Sequence, residues 1–486
     1  MNLNLDLPFI ILYAVLGLIV IFVLVLLIRT FAFKPKDNIE LLTDEEDFDK
    51  DASVISLQEM VKCKTVSYTN SELEDPAEFE KFVNLLPNLF PNVHKVCTLT
   101  KMPGRGLLYL WKGKEPGPAS VMMSHYDVVP ALEEYWEKPA FDGIIEEGVL
   151  WGRGTLDTKA TLNGVLSSAE ELIKRGFTPN NDVYFAFSGT EEINGKDAPT
   201  IVDYFEQNNI EIGLVIDEGG AVVEGVFPGV KEPCGLIGIA EKGFLNVEYK
   251  IKSQGGHASA PKPNSPIVSL SKAVLKVEEN PFKYHLTKPV NEMFDTLGRH
   301  SNFLYRMIFA NLWLFKGVLN GMAKKKGGEM NALLRTTVAF TQATGSDAAN
   351  VIPPEAKVVS NIRINPLDTV DSVIDGLKER VDNDKIEITG FLGVNPSRIS
   401  ETNCEEFKKV ERAVASTWKG TLVSPYLMVQ CSDSRHYGRV SDKVYRFSAM
   451  ALTTEERASI HGNNEKIRIE NIHKAVEFYI RVLKQC

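Results

Sequence analysis

The chain has no CxxC pair and no closely spaced cysteines. Its six, Cys63, Cys97, Cys234, Cys404, Cys431 and Cys486, are scattered over 486 residues, which excludes a zinc ribbon and a dense disulfide framework. It also has no excess of positive charge: 54 Lys+Arg against 64 Asp+Glu give a net charge of -10. A general nucleic-acid binder needs a basic surface to meet phosphates, so no nucleic-acid partner is expected. No usable glycosylation sequon occurs, because Pro396 spoils the one at Asn395. No internal repeat with a period of about 20 to 50 residues appears, which excludes a solenoid or propeller.

What is present describes an enzyme-sized globular body. Hydrophobic residues make up 44% and charged residues 24%, near the globular average, and length alone predicts roughly three units. Phe9 to Ile28 is an uncharged run of 20 residues, enough to cross a hydrocarbon core of about 30 Å. No Lys or Arg precedes it, whereas a cleavable signal peptide, the rival reading, starts basic and has a shorter apolar run. The run is therefore read as an uncleaved, single-pass membrane anchor within residues 1–36. Arg29, Lys34 and Lys36 follow it, and the positive-inside rule favours the cytoplasmic side for them, while the side that holds the catalytic body is left open. An acidic stretch from Asp44 to Asp51 reads as a solvated linker over 37–52.

From Gly104 to Asp217 short β-rich runs (LLYLW, SVMMS, DVYFAFS, IGLVI) alternate with helical patterns at Thr158 to Arg175 and Ala198 to Gln207. That alternation predicts an α/β fold with a doubly wound, mainly parallel sheet. Near Glu241 longer alternating strands begin, with helices at Ile267 to Glu278 and Val370 to Val381, the texture of an α+β domain. The first pattern returns near Ser397 and closes on a helix from Ile469 to Leu483. A catalytic domain in two parts, 53–240 and 395–486, is thus expected to carry an inserted lid or dimerisation domain, 241–394.

Acidic and imidazole side chains collect where strands end: His125 and Asp127 after SVMMS, Glu191 and Glu192 after DVYFAFS, Asp217 after IGLVI. In open α/β sheets the crevice beyond the strand carboxyl ends is where sites form. Asp157 in GRGTLDTK opens a helix, and His461 in SIHGNNE precedes the last one; both are candidates for the same crevice. A lone strand-end His or Asp is usually structural, so it is the coincidence that carries weight. Imidazoles and carboxylates suit zinc or a similar divalent ion, and one carboxylate can bridge a pair. Two ions carry four positive charges; Asp157, Asp217 and Glu192 return three negative ones, a balance that favours a hydrolytic nucleophile near neutral pH. The remaining adjacent carboxylate is free for acid–base work, and Asp127 can fix the His125 tautomer or form an Asx turn before Pro130. His94, His285, His300, His436 and His473 lack such context and read as structural or exposed.

The runs SHYDVVP (124–130), WGRGTLDTK (151–159), Glu191-Glu192, DEGG (217–220), GGHASAP (255–261) and HGNNE (461–465) resemble, in order, those of the dinuclear-zinc aminoacylase and carboxypeptidase S family of metallopeptidases. The layout, with NALLRTT and NVIPP at 331–337 and 350–354, is most similar to its N-fatty-acyl-amino acid synthase/hydrolase and carboxypeptidase S branch. The resemblance implies two zinc ions, with Asp157 bridging, His125 and Asp217 on one ion, and Glu192 and His461 on the other. It implies Glu191 as general acid/base, His257 as a lid donor to the oxyanion that such proteins often supply across a homodimer, Asn350 at the substrate or oxyanion, and Arg363 for the substrate carboxylate. Cys431-Ser432-Asp433-Ser434 departs from the usual Gly-Thr-Asp-Ser form, which bears on selectivity. The expected activity is hydrolysis, and in reverse synthesis, of N-acyl amino acids with fatty acyl groups. Cleavage of short peptides is the alternative. An apolar-rich stretch, Met293 to Leu319, ahead of Lys324 to Lys326 is read first as helical core of the lid, and second as an acyl channel or bilayer contact.

Overall fold

The computed structural model describes residues 7–36, 39–42, 45–225 and 227–486. Residues 1–6 of the anchor segment, and residues 37, 38, 43 and Asp44 of the acidic linker, lie outside the described residues. The uncharged run forms the helix α1 (Leu7–Ala32), on which only Leu26 and Thr30 are buried. It is long and apolar enough to cross a membrane.

The acidic stretch is not the free spacer expected of it. Phe48 is buried in the main core, Glu46 accepts a hydrogen bond from Lys484 at 2.7 Å, and Asp49 caps α2 (Lys50–Val61) by accepting from the Ala52 N–H at 2.9 Å. A capping carboxylate satisfies an orphan N–H at the positive end of a helix. The folded body therefore begins before Ser53.

The first six strands of the main sheet are β1 (Thr98–Lys101), β2 (Leu107–Trp111), β3 (Ala119–His125), β4 (Val183–Ser188), β5 (Ile212–Val223) and β6 (Cys234–Glu241). Helices α3 (Lys159–Lys174) and α4 (Asp197–Gln207) connect them. β3 and β4 are buried along their whole length, as expected of strands covered on both faces, which need no polar alternation.

A second sheet and its helices follow: β7 (Gly243–Lys252), α5 (Pro266–Glu279), four helices α6 (Lys288–His300), α7 (Phe303–Ala310), α8 (Leu312–Lys326) and α9 (Gly328–Leu334), then β8 (Thr337–Thr344), β9 (Glu355–Ile364), α10 (Val370–Val381) and β10 (Ile386–Val394). The strands form one antiparallel sheet in the order β8-β9-β7-β10. Leu245, Val247, Tyr249 and Ile251 alternate inward on β7 to meet Leu270 and Ala273 of α5 and Val373 and Leu377 of α10. The chain then returns through β11 (Leu422–Met428) and β12 (Val444–Leu452) to the closing helix α11 (Ile469–Leu483).

The eight-stranded main sheet has the order β1-β2-β4-β3-β5-β12-β6-β11. Its centre is parallel, with antiparallel pairings at β1–β2, β2–β4 and β12–β6. α3 and α11 pack on one face; Gly164 lets them approach, since a Cβ there would sit 3.1 Å from the Ala475 and Tyr479 side chains. α4 covers the other face through Ala198, Ile201, Val202 and Phe205. The fold is thus α/β and doubly wound. The helices α6 to α9 depart from the expectation that 241–394 packs as one lid: Val290, Met293, Phe294, Leu297, Phe309, Leu333 and Leu334 belong to the main core and not to the lid core. An apolar stripe specifies that it will be covered, not by which domain.

Candidate metal centre

The centre forms where β3, β4 and β5 run out beside the α3 N-terminus. His125 is the last residue of β3, and its partner in register is Ser188, the last of β4. Glu191 and Glu192 follow in a single 3-10 turn. Asp157 stands two residues before α3. Each of its carboxylate oxygens faces a different imidazole: Oδ1 lies 3.0 Å from His125 Nε2 and Oδ2 lies 3.0 Å from His461 Nε2. Glu192 Oε2 is 3.1 Å from the same His461 nitrogen.

The structure does not bring Asp217 to His125. Its neighbour Glu218 is there, with Oε1 3.3 Å from His125 Nε2. Asp217 instead accepts from the Ser434 N–H at 3.0 Å. Consecutive strand residues point to opposite faces, so one of the pair meets the imidazole while the other holds the 431–434 loop. That loop also hangs from Glu241, which accepts from the Ser432 N–H at 2.8 Å and the Ser434 hydroxyl at 3.0 Å and is ion-paired with buried Arg446.

Asp127 has more to do than fix a tautomer. His125 Nδ1 lies 3.0 Å from the Asp127 main-chain carbonyl and 3.4 Å from its carboxylate. That carboxylate accepts from the Glu191 and Glu192 N–H groups, each at 3.1 Å, and from the Ser67 hydroxyl at 2.7 Å. One buried side chain therefore orients both the histidine and the Glu191-Glu192 turn.

Glu465 is a positioning residue that the sequence pattern left without a role. Its Oε1 accepts from the Leu156 and Asp157 N–H groups at 2.7 and 3.2 Å, and its Oε2 from Gly154 N–H and the Arg153 guanidinium at 3.1 and 2.7 Å. The loop that presents Asp157 is thereby held by a residue from the last part of the chain.

His257, Asn350 and Arg363 lie elsewhere. His257 is exposed between β7 and α5, where its Nδ1 accepts from the Ser259 N–H at 3.1 Å. Asn350 is its neighbour, the Asn350 carbonyl accepting from Ala258 N–H at 2.9 Å. Arg363, on β9, reaches Cys431 Sγ at 3.7 Å, and Cys431 lines the cavity that holds the carboxylates.

The electrostatics are those of several buried carboxylates packed around two imidazoles. Asp157 is held well below the usual carboxylate range: burial would raise it, but the hydrogen bonds from His125 and His461 outweigh that. Burial, then repulsion from Asp157, pushes Glu218 up to about 8. Burial also pushes Glu191 well up against the pull of His125, and repulsion from Asp433, Glu218 and Glu192 adds to the rise. His461 is raised to about 10 by its hydrogen bonds to Asp157 and Glu192. For His125, burial lowers, but Glu218, Asp127 and Asp157 together raise it well above its ordinary value.

This donor set fits divalent cations. His125, Asp157 and Glu192, and again His125, Glu191 and Glu218, offer ligand atoms within 4.8 Å of one another. Among the described residues no Lys or Arg pairs with these carboxylates, and the Glu192 Oε1 atom is buried without a hydrogen-bond partner, an arrangement costly for unpaired negative groups. The cavity around them has a volume of about 770 Å³. Its lining includes Asp157, Glu191, Glu192, Glu218 and His461 together with apolar Leu236, Met428, Met450, Leu452 and Ala332 and polar Glu329, Gln430, Ser448 and Arg457.

The chain matches peptidase family M20/M25/M40 over residues 121–485. It is 33% identical to a probable carboxypeptidase S-like 2 of Dictyostelium discoideum, the match covering 96% of this chain and 92% of that one. It is 32% identical to an N-fatty-acyl-amino acid synthase/hydrolase of Xenopus tropicalis over 96% of this chain and 93% of that one. Among solved structures, an M20 family metallo-carboxypeptidase of Sulfolobus solfataricus superposes with a TM-score of 0.64 at 20% identity, covering 89% of this chain and 98% of that one.

Proposed function

This chain belongs to peptidase family M20/M25/M40 and is a hydrolase of amide or peptide bonds, and from that premise we propose a zinc-dependent amidohydrolase of N-acyl amino acids with fatty acyl groups, anchored in a membrane by α1. The observation that carries the substrate reading is the cavity, whose lining joins the carboxylates to the apolar wall residues Leu236, Met428, Met450 and Leu452, with Gln430, Ser448 and Arg457 also at its edge. A polar head at the cluster and an apolar chain along that wall match an amphiphile. The name of the Xenopus tropicalis relative agrees with it. That of the Dictyostelium discoideum relative favours the second reading, a carboxypeptidase of short peptides.

In this mechanism His125, Glu218 and Asp157 would hold one cation and His461, Glu192 and Asp157 the other. When bound, the two cations supply the charge that polarises an amide carbonyl and activates water near neutral pH. Glu191 takes the proton of the attacking water and delivers it to the leaving nitrogen. Asp127 keeps Glu191 in place through its main-chain N–H. Arg363 receives the free carboxylate of the amino acid, for which its planar fork suits a bidentate contact. His257 and Asn350 come to the carbonyl through lid closure or from a second copy of the chain, adding a donor where negative charge develops. Hydrolysis and condensation share one transition state, so concentrations set the net direction.

Steady-state assays of purified, metal-loaded protein against N-acyl amino acids of graded chain length and against dipeptides test the reading. A kcat/KM that rises with chain length is expected; a preference for dipeptides replaces it with the peptidase reading. Metal analysis of the same preparation tests zinc.

A further inference from the structure

We propose that α7 and α8 sink into one leaflet of the membrane that α1 crosses, so that the catalytic body is seated in the bilayer and not tethered above it. The proposal rests on the reading of α1 as a retained membrane span.

The contacts between these elements run in order along α1. Phe303, at the start of α7, meets Phe31 with ring centroids 5.8 Å apart. At the turn into α8, the Arg29 guanidinium donates to the Ala310 carbonyl at 3.0 Å and to Asn311 Oδ1 at 3.1 Å, and the Asn311 amide donates to the Leu26 carbonyl at 3.3 Å. Trp313 then meets Phe22 edge-on at 6.1 Å. Advancing from 303 to 313 thus means retreating along α1 from 31 toward 22. The uncharged run of α1 ends at Ile28, and at 1.5 Å per residue Phe22 lies about 9 Å inside that end. Trp313 is carried to the same level, within the roughly 5–10 Å to which interfacial helices bury an apolar face.

The surface presented there is apolar. Phe303, Leu304, Trp313, Leu314, Val318 and Met322 expose between 38% and 61% of their area. Leu314, Val318 and Met322 recur once per turn, which makes one stripe along α8. An uncovered stripe of this size beside a spanning helix belongs in hydrocarbon more than in water. Asn311 is fully buried, and it and the Arg29 side chain share the hydrogen bonds above, the condition for polar side chains between helices in lipid; the exposed Lys316 of α8 has an aliphatic stem long enough to carry its ammonium toward the headgroups.

Charge fixes the occupant as a phospholipid surface. The chain carries -10 overall, yet Lys324, Lys325 and Lys326 close α8 and are exposed. Lys324 lies about 16 Å along the helix from Trp313, far enough to reach the phosphates of anionic headgroups while the tryptophan is among acyl chains.

The test uses the full chain reconstituted in vesicles of acyl-brominated phosphatidylcholine with a minor share of phosphatidylserine. Of the five tryptophans, Trp111, Trp136 and Trp151 are buried in the body and Trp418 is half-buried there, so bromine quenching should come from Trp313. Trp313→Phe is expected to remove most of the bromine-dependent quenching while hydrolytic activity, which reports folding, persists. A sodium carbonate wash separates the two premises. If carbonate strips the wild-type chain from the vesicles, the spanning helix itself is wrong and the seating falls with it. If the chain is retained and Trp313→Phe is quenched as strongly as wild type, or the wild type is no less fluorescent in brominated vesicles than in unbrominated ones, the stripe is covered by something other than lipid, such as a second copy, and the seating alone is overturned.

Discussion

Asp217 and Glu218 are consecutive on β5, yet their carboxylates serve different ends: Glu218 lies 3.3 Å from His125 Nε2 and Asp217 accepts from the Ser434 N–H. Glu218→Ala is therefore expected to lower bound metal by about one equivalent per chain, as loss of a ligand does. Asp217→Ala should leave metal content unchanged and lower stability by about 1–3 kcal/mol, the cost of a buried N–H left without an acceptor. Elemental analysis and urea unfolding of both variants check the pair of outcomes; metal loss in Asp217→Ala alone would restore Asp217 as the ligand.

Glu191→Gln keeps the shape of the turn and the N–H that Asp127 holds, but removes the proton carrier. Metal content should match wild type while kcat falls about 10²- to 10⁴-fold. Turnover near wild type in the metal-loaded variant would take the acid–base role away from Glu191.

Ala332 lies on α9 and lines the same cavity as the carboxylates. Ala332→Trp should cut kcat/KM for long-chain N-acyl substrates about tenfold and leave an N-acetyl substrate nearly unchanged, since filling an apolar pocket discriminates by a few kcal/mol at most. An equal loss on both substrates would mean that the acyl chain lies elsewhere.

His436 gives the acid limb of stability a local source. Burial, with the nearby Arg435 and Arg439 charges, lowers its pKa from 6.5 to about 4. The folded value is below the unfolded one, so the unfolded chain binds more protons between them. The stabilisation from a neutral His436 is complete above pH 6.5 and is lost as pH falls toward 4. After allowance for its partial exposure, His436→Gln should lose about 1 kcal/mol less than wild type between pH 7 and pH 5. Urea midpoints at the two pH values measure the difference; parallel losses would assign the acid sensitivity to other groups.

Much of the scaffold was legible from local pattern. α10 and α11 occupy the predicted spans, Val370–Val381 and Ile469–Leu483, because Thr369 caps the first and strong apolar stripes define both. His125, Asp157, Glu192 and His461 converge as their places at strand and helix ends imply. The choice between Asp217 and Glu218 was not legible, since β5 is buried over much of both faces and a strand covered on both sides carries no polarity that fixes its facing. Nor was the packing of α6 to α9 on the main core, or the role of Glu465. Both depend on contacts between segments far apart in sequence, of which composition and spacing keep no trace.

Arg153 and Glu465, paired at 2.7 Å, are separated by 312 positions, and His461 lies just before the second of them. A growing polypeptide can thus have its first 460 residues in place and still lack both an imidazole of the centre and the brace that holds the Asp157 backbone. Under the proposed mechanism, cleaving power is expected late in translation, and a chain stopped before His461 is expected to be inactive.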